Sequence, residues 1–507
     1  MNPILTKSKY LLGLECPRHL WITFNQPEKI RKVTLAEEFK FSQGDKVGQL
    51  AKTLFSGGID LPVENYSENL QQTKEAMKKG KPLFEAGFAF ENCFSRADIL
   101  VPVRNEVSGG SKNSKNFSEP VGKEWDIIEV KSGTEVKDIN VHDVSFQKYV
   151  YESNGLKIRK CFLMHLNKEY FRKGKLDAKK LLVKEDITSQ VNAVKDIKER
   201  IDKMFEIISS DKPPKAGLLI DKMIKEGHHD CFTENCIDDL PENHVFCLYR
   251  GNKLACELFE NGIIHLKDIP QHVKLNGKQN IQRECEMKKK VYVDKEGIKQ
   301  FLATLKYPVY YLDFETFSTA IPMFDGLKSY SQVPFQFSLH IAKKEDSKPE
   351  HHAFLYGGNG DPREDFTNAL KKVIGENGTV LVYNQSFEIG RLKELAEHFP
   401  EHKEWIENVL KRIVDLLVPF REFSYYNPKQ QGSASIKDVL PAITGKSYKG
   451  MEIGDGGTAS VEFFRMTYDT CSDEEKKKIR ENLLKYCELD TLAEVMIVEK
   501  LQGMLDN

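Results

Sequence analysis

The sequence lacks an apolar run long enough to cross a membrane, and its first stretch, 1–21, lacks the apolar core of a signal peptide. It also lacks an excess of charge of one sign, because 75 Lys and Arg are balanced by 76 Asp and Glu. This balance excludes a histone-like protein but still permits local basic patches that bind nucleic acid. Ten cysteines in 507 residues are too sparse for a small secreted scaffold. We therefore expect a cytoplasmic protein without a membrane partner.

The order of apolar patterns predicts an α/β fold in which two regions of alternating strands and helices flank a helical middle. At about 150 residues per domain, the length allows several domains. We predict a first domain at 1–200, a helical connector at 201–304 that contains the Cys/His-rich run 227–236, and a last domain at 305–507. A segment rich in Ser, Asn, Gly and Lys, 105–124, is typical of a flexible hairpin loop.

An apolar, aromatic run, YYLDFETF at 310–317, contains two carboxylates, Asp313 and Glu315. Side chains two positions apart on a strand share a face. Two like charges held this close favour binding of a proton or a cation between them. The run therefore predicts a strand that carries part of a cation site.

Two later segments supply partners for these carboxylates. LVYNQSFEIGRL is an apolar strand that leads into a helix, with Asn384 and Glu388 at the junction. LLKYCELDTLAEVMIVEKL is an amphipathic helix on which Tyr486 and Asp490, four apart, share a face. The order D-x-E, N-x-x-x-E, Y-x-x-x-D over roughly 305–505 resembles the DEDD 3′→5′ exonucleases, the DnaQ-like branch of the ribonuclease-H-like fold. One departure is Glu388, since the second motif of that family usually ends in Asp.

The resemblance implies a role for each of these residues. Two divalent ions, Mg²⁺ or Mn²⁺, would clamp the attacking and leaving oxygens of a phosphodiester from positions about 4 Å apart. Such ions prefer hard oxygen ligands. The implied metal ligands are Asp313, Glu315, Glu388 and Asp490. Tyr486 would orient or deprotonate the attacking water, and we assign Asn384 to nucleic-acid contact.

A second group of residues lies in the first predicted domain. Asp98 lies on one strand, Glu129 and Lys131 share a face of the next, and Gln147 and Tyr151 are four apart on the following helix. This D…E-x-K…Q-x-x-x-Y order resembles the RecB-like form of the PD-(D/E)XK nucleases, which implies a restriction-endonuclease-like domain. Asp98 and Glu129 would hold a divalent ion, and Lys131 would position or activate water. Gln147 and Tyr151 would support the site or the nucleic-acid backbone.

The first domain also departs from that family at two places. RecB-like members often carry a helical G-x-x-x-H whose His assists the metal, and Gly48 stands at that position here. CRISPR-associated RecB-like exonucleases ligate an iron–sulfur cluster with one early and three late cysteines, and Cys16, Cys231 and Cys236 match three of the four. Because a 4Fe–4S cluster usually needs four thiolates, we expect an incomplete or lost cluster. Alternatives for the missing ligand are His228, His229 and Cys247.

The whole chain resembles a bacterial family that fuses a RecB-like PD-(D/E)XK domain to a DnaQ-like exonuclease domain. This resemblance implies a metal-dependent nuclease that hydrolyses nucleic-acid phosphodiester bonds, with 3′→5′ exonuclease activity on DNA in repair or defence. Two alternatives stay open: a nucleic-acid-binding scaffold with impaired nuclease sites, and a ribonuclease that trims RNA 3′ ends. The sequence points to no particular protein partner.

Overall fold

The computed structural model describes residues 3–103, 124–214 and 240–506. The predicted hairpin segment lies almost entirely outside these residues, as does the Cys/His-rich run 227–236. The chain folds into two compact units. The first comprises the described residues of Met1–Asp238 together with Thr319–Tyr330, and the second comprises those of Asp239–Ser318 and Ser331–Asn507. The predicted helical middle therefore contributes residues to both units.

The first unit contains a mixed sheet of seven strands, counted over the described residues. Its order is β2–β3–β4–β5–β6–β7, and β1 pairs with β4. The strands are β1 Leu5–Thr6, β2 Ile59–Asp60, β3 Leu83–Phe90, β4 Cys93–Pro102, β5 Glu124–Val130, β6 Lys157–Leu166 and β7 Leu182–Asp186. Strands β3, β4 and β5 are antiparallel neighbours, whereas β6 runs parallel to β5.

A parallel pair needs a crossover connection, and a buried helix supplies it between β5 and β6. The helices of this unit are α1 Lys7–Glu15, α2 Pro17–Asn25, α3 Leu35–Lys52, α4 Tyr66–Met77, α5 Asp138–Ser153, α6 Ala178–Leu181, α7 Thr188–Ala193 and α8 Ile197–Ile208. Helix α5 is the crossover. It buries Val144, Phe146 and Val150 in the main apolar core of the unit. This packing holds in place the polar residues on the side of α5 that faces the sheet.

The second unit contains a five-stranded sheet in the order β11–β10–β9–β12–β13. Its strands are β9 Val309–Phe317, β10 Val333–Ala342, β11 Glu350–Leu355, β12 Thr379–Val382 and β13 Ile413–Asp415. Strand β10 is antiparallel to β9 and β11, whereas β12 is parallel to β9 and β13. A small antiparallel ribbon joins β8 Tyr292–Val293 to β14 Tyr425–Tyr426.

Helices cover this sheet and form much of the remainder of the unit. They are α9 Asn252–Glu260, α10 Gly277–Lys288, α11 Lys295–Leu302, α12 Arg363–Val373, α13 Ser386–His398, α14 Lys403–Leu410, α15 Val418–Arg421, α16 Ile436–Thr444, α17 Gly456–Tyr468 and α18 Asp473–Gly503. A capping box between Ser472 and Glu475 begins the 31-residue α18. This pairing satisfies backbone N–H groups that a helix start leaves without partners.

The centre of the second sheet is the strand that carries the predicted D-x-E motif. Strand β9 is buried at eight of its nine positions. This continuous burial is typical of a strand covered on both faces, which explains its run of aromatic and aliphatic residues. The fold class is mixed α/β, as the sequence predicts. No helix in the described part of the chain has the length and apolar character needed to cross a bilayer.

Candidate active site

The second unit brings together three of the predicted metal ligands. Asp313 and Glu315 lie two positions apart on β9, and Asp490 lies on α18. One carboxylate oxygen from each of the three residues lies within 4.8 Å of the others. Burial and the neighbouring carboxylates raise the pKa of both Asp313 and Glu315 well above the ordinary value. The three acids are therefore close enough to share a cation.

The fourth predicted ligand, Glu388, lies in the first turn of α13, directly after strand β12. Its side chain is buried, and burial raises its pKa to about 8. Its carboxylate contributes to the raised pKa of Asp313. The parallel alignment of β9 and β12 explains this proximity, because the carboxyl ends of parallel neighbours lie at the same edge of the sheet.

A fifth acid, Glu494, belongs to the same group and was missed by the sequence motifs. Glu494 is 1% exposed. Its burial, together with the nearby carboxylates of Asp313 and Glu388, raises its pKa well above the ordinary value. Glu494 follows Asp490 by four residues on α18, so both lie on one helical face. That spacing is the sequence signal that could have identified it.

The acidic cluster, defined as Asp313, Glu315, Glu388, Asp490 and Glu494, contains buried oxygens without a hydrogen-bond partner in the described residues. These oxygens are Glu388 Oε2, Asp490 Oδ2 and Glu494 Oε2. An unpartnered buried carboxylate is costly unless it is protonated or paired with a cation. Five carboxyl groups with raised pKa values and hard oxygen donors fit a divalent ion such as Mg²⁺ or Mn²⁺. The residues present therefore match the predicted metal.

Two tyrosines and a lysine border the acidic cluster. The Tyr448 hydroxyl donates a 2.7 Å hydrogen bond to Asp490 Oδ1. Burial and then Asp490 raise the pKa of the predicted Tyr486 well above its ordinary value, so its phenol keeps its proton and can donate. The Lys437 ammonium lies 5.5 Å from the Tyr486 ring centroid, and its charge partly opposes the rise in the pKa of Glu315. Neither Tyr448 nor Lys437 was predicted as a site residue.

Asn384, the predicted nucleic-acid contact, lies at the turn between β12 and α13 with a positive φ of 73°. Asn adopts this left-handed conformation more readily than most residues. Its backbone N–H donates a 2.9 Å hydrogen bond to Asp415 Oδ1, and its side-chain oxygen accepts from Ser386 Oγ at 2.8 Å. Asp415, at the end of β13, thus anchors the turn that places Glu388.

The first unit brings its predicted residues into a second polar cluster. Glu129, at the end of β5, is 1% exposed and accepts hydrogen bonds from Lys131 Nζ and Gln147 Nε2, both at 2.7 Å. Asp143, four residues before Gln147 on α5, accepts from the same two donors at 2.6 and 2.9 Å. The sequence motif did not include Asp143, although its spacing from Gln147 places both on one helical face.

An unpredicted lysine completes this cluster. Lys7 Nζ, from the first turn of α1, donates to Glu129 Oε1 at 2.7 Å and lies 3.8 Å from Asp98 Oδ1. Burial alone would raise the pKa of Glu129. The ammonium groups of Lys131 and Lys7 outweigh this effect and hold the pKa well below its usual range. Burial and Glu129 raise the pKa of Asp98 to about 7. A metal ion held between Asp98 and Glu129 would have to displace Lys7.

Tyr151 does not lie at the polar cluster. It is fully buried, its ring lies 4.5 Å from that of Phe88 in a tilted arrangement, and its hydroxyl donates a 2.9 Å hydrogen bond to the Ala86 carbonyl. The side chain therefore fixes α5 on the sheet and so positions Gln147. At Gly48, where the related family has a histidine, a Cβ atom would find no described atom within 4 Å.

The cysteine prediction can be followed at one of its three residues. Cys16 is buried and caps the start of α2, where its Sγ accepts a 3.3 Å hydrogen bond from the His19 N–H. Cys231 and Cys236 lie outside the described residues. The iron–sulfur cluster therefore stays a prediction.

Part of the chain is similar to known proteins. A family model described as a domain of unknown function, DUF2779, matches residues 310–435. This match includes Asp313, Glu315 and Glu388 and ends before α18. The chain is 27% identical over 226 residues to an uncharacterised protein of Ureaplasma parvum, covering 40% of this chain and 32% of the relative.

Two mycoplasma proteins give similar matches. An uncharacterised protein of Mycoplasma genitalium is 30% identical over 223 residues, covering 40% of this chain and 33% of its own length. Its homologue from Mycoplasma pneumoniae is 28% identical over 239 residues, covering 42% of this chain and 36% of its own length. The chain thus matches about a third of the length of these curated relatives.

Proposed function

We propose that this protein is a metal-dependent nuclease whose second unit removes nucleotides from the 3′ end of a nucleic acid, with DNA as the expected substrate. The observation that carries the proposal is the convergence of Asp313, Glu315 and Asp490, whose carboxylate oxygens lie within 4.8 Å of one another. Buried carboxylates grouped in this way are costly without a cation, so their presence favours a metal-binding role over a structural one.

The strand arrangement supports a ribonuclease-H-like fold for the second unit. Three antiparallel strands, β11, β10 and β9, continue into the parallel strands β12 and β13. The D-x-E motif lies on the central β9, the second acidic motif follows β12, and the third lies on the last helix. These are the positions that the DEDD resemblance implies for its three motifs.

Each side chain then has a defined chemical task. Bound Mg²⁺ or Mn²⁺ would polarise a water and neutralise charge on the scissile phosphate. Asp313, Glu315 and Asp490 would hold the ions, with Glu388 and Glu494 as additional oxygen donors. The Tyr486 phenol, which retains its proton, would orient the attacking water as a hydrogen-bonding partner rather than as a base.

Lys437 provides a positive charge beside the acidic cluster, where it acts on Glu315 and Asp490. Its ammonium lies over the rings of Tyr486 and Tyr448, at 5.5 and 5.9 Å from their centroids. A cation beside the acidic cluster favours approach of a polyanionic substrate. We assign it to phosphate contact.

The first unit supports a binding role as a second candidate function. Its β3–β4–β5 meander, crossover helix α5 and parallel β6 fit the PD-(D/E)XK core that the motifs imply. Lys7, however, already neutralises Glu129 and lies beside Asp98. This observation favours a nucleic-acid-binding module without cleavage for the first unit, even if the second unit is catalytic.

The test is a nuclease assay of the full chain on end-labelled single- and double-stranded DNA and RNA, with Mg²⁺, Mn²⁺ or EDTA. We expect metal-dependent release of mononucleotides from DNA 3′ ends by wild type. Activity confined to RNA would establish the 3′-end-trimming alternative instead. Tight binding of all substrates without cleavage under any metal condition would establish the scaffold alternative and overturn the proposal.

A further inference from the structure

A second group of potential metal ligands lies in the second unit, apart from the acidic cluster. His340 on β10 and His351 on β11 are directly paired across the two strands. Glu488 on α18 is the third member. One ring nitrogen from each histidine and one carboxylate oxygen lie within 4.8 Å of one another. Three side chains from three separate elements thus meet at one point.

Each of the two histidines has one ring nitrogen within hydrogen-bond distance of a hydroxyl group, and the two rings stack with their centroids 4.5 Å apart. His340 Nδ1 lies 2.8 Å from Thr491 Oγ1, and His351 Nε2 lies 3.0 Å from Ser338 Oγ. The two hydroxyl groups are themselves 2.7 Å apart. Metal-binding histidines usually donate their second ring N–H to a neighbouring acceptor, which fixes the tautomer and orients the ring. Here the opposite nitrogen of each ring remains for a metal.

We propose that His340, His351 and Glu488 form a binding site for Zn²⁺ or another late first-row divalent ion. Two imidazoles and one carboxylate are a ligand set that zinc accepts, with water in the fourth position. Mg²⁺ prefers oxygen donors, so this site and the acidic cluster select different ions. The site stands whether or not the acidic cluster hydrolyses nucleic acid.

The surroundings of the two histidines lower their pKa values and so favour the neutral imidazole. Burial and the neighbouring His351 lower the pKa of His340 to about 4, so its imidazole is neutral at physiological pH. Partial burial of the otherwise surface-exposed His351 also lowers the pKa of its imidazole, although Glu488 opposes this shift. A neutral imidazole is the form that binds metal.

Occupancy of this site would connect the sheet edge to the helix that carries the proposed catalytic residues. Glu488 and Thr491 lie on either side of Asp490 on α18, whereas both histidines belong to the sheet. Bound zinc would therefore hold this turn of α18 against β10 and β11. The consequence for the proposed nuclease is a fixed position for Asp490, a role that is separate from hydrolysis itself.

The test is metal binding by the purified full chain, measured by elemental analysis and by titration of the metal-free protein with Co²⁺. Four-coordinate Co²⁺ gives an intense visible absorption band, whereas Co²⁺ held by oxygen donors and water in the acidic cluster would give a weak one. Cysteine ligands from 227–236 would be recognised by an additional charge-transfer band in the near ultraviolet. The matched variants are His351→Ala and Glu488→Gln, with His352→Ala as the control from the opposite face of β11.

We expect His351→Ala and Glu488→Gln to lose one equivalent of zinc and the intense visible band, while His352→Ala retains both. Ser338→Ala, which removes the hydroxyl that lies 3.0 Å from His351 Nε2, should weaken Co²⁺ binding by about tenfold or more. All variants should be checked by circular dichroism, and because His351 and Glu488 lie at the surface we expect them to fold. Wild type without the band, or the same zinc content in wild type and His351→Ala, would overturn the proposal.

Discussion

The Tyr448 hydroxyl lies 2.7 Å from Asp490 Oδ1, although the two residues are 42 positions apart in the chain. This hydrogen bond fixes one oxygen of the carboxylate, while Asp490 Oδ2 has no partner in the described residues. This second oxygen would be available to the cation of the proposed site. A residue outside the three acidic motifs thus determines how the last of them is oriented.

Tyr448→Phe should weaken metal binding and catalysis without unfolding the protein. A hydrogen bond to a charged group contributes about 1.5–3 kcal/mol, which corresponds to a rate loss of roughly tenfold to a hundredfold. The measurement is the nuclease rate as a function of Mn²⁺ concentration. We expect a higher Mn²⁺ concentration at half-maximal rate, because Tyr448 acts through the carboxylate rather than on the substrate.

Tyr468→Phe is the matched control for this variant. The Tyr468 hydroxyl donates a 2.9 Å hydrogen bond to the Gly360 carbonyl. Its removal should leave the Mn²⁺ dependence unchanged. Equal effects of the two substitutions would contradict the positioning role of Tyr448.

The buried carboxyl of Glu388 should lower the stability of the metal-free protein as pH rises. Its folded-state pKa is raised to about 8, whereas a glutamate in an unfolded chain titrates near about 4.3. Between these values the unfolded state has lost the proton that the folded state still retains, so the free energy of unfolding decreases with increasing pH. Below the lower value the group has no effect.

Glu388→Gln should therefore raise the Tm in EDTA at pH 8 and leave it nearly unchanged near pH 4. The exposed Glu481→Gln on α18 is the control and should alter neither value. Added Mn²⁺ should stabilise wild type more than Glu388→Gln, since the metal replaces the proton. Parallel curves of Tm against pH for wild type and Glu388→Gln would show that the carboxyl carries no such penalty.

Lys7→Gln should open the polar cluster of the first unit to a divalent cation. The substitution removes the ammonium that lies 2.7 Å from Glu129 and 3.8 Å from Asp98. In an Asp313→Asn background, which weakens the acidic cluster, Mn²⁺ binding by electron paramagnetic resonance should increase by one equivalent. The exposed Lys40→Gln is the control for loss of one positive charge. Unchanged Mn²⁺ binding would exclude Lys7 as the built-in cation of this cluster.

Asn384 can be tested separately for backbone conformation and for nucleic-acid contact. Its φ of 73° is accessible to Gly but unfavourable for Val, at a cost of about 1–2 kcal/mol. Asn384→Val should lower the Tm, whereas Asn384→Gly should preserve it and lose only the side-chain amide. Weaker DNA binding by Asn384→Gly, measured at fixed salt, would support the predicted contact, and unchanged binding would leave Asn384 with a structural role alone.

The sequence predicted the parts of the site that short-range patterns encode. Alternation along a strand placed Asp313 beside Glu315, and helical periodicity placed Tyr486 beside Asp490. The same periodicity places Glu494 four residues after Asp490 and Asp143 four residues before Gln147. Both acids were therefore predictable from the sequence. Apolar runs likewise predicted β9 and β12 close to their observed positions.

Other features depend on tertiary contacts that no local pattern encodes. Lys7 comes from α1, 122 residues before Glu129, and only the folded sheet brings them together. Tyr448 lies before α17, and only the tertiary fold brings it to Asp490 on α18. The segment Thr319–Tyr330 follows β9 in the chain yet belongs to the first unit, where Arg172 Nη1 donates to the carbonyls of Pro322 and Met323.

The most direct test of the proposed nuclease compares Asp313→Asn with Lys131→Ala and wild type on a 3′-labelled DNA strand in Mn²⁺. Asp313→Asn keeps the shape of β9 but removes a proposed metal ligand, so mononucleotide release should fall by about a thousandfold or more. Binding to DNA should persist, because phosphate contacts come mainly from Lys and Arg. Lys131→Ala should retain the wild-type rate. A fully active Asp313→Asn together with an inactive Lys131→Ala would contradict the account and place the nuclease in the first unit.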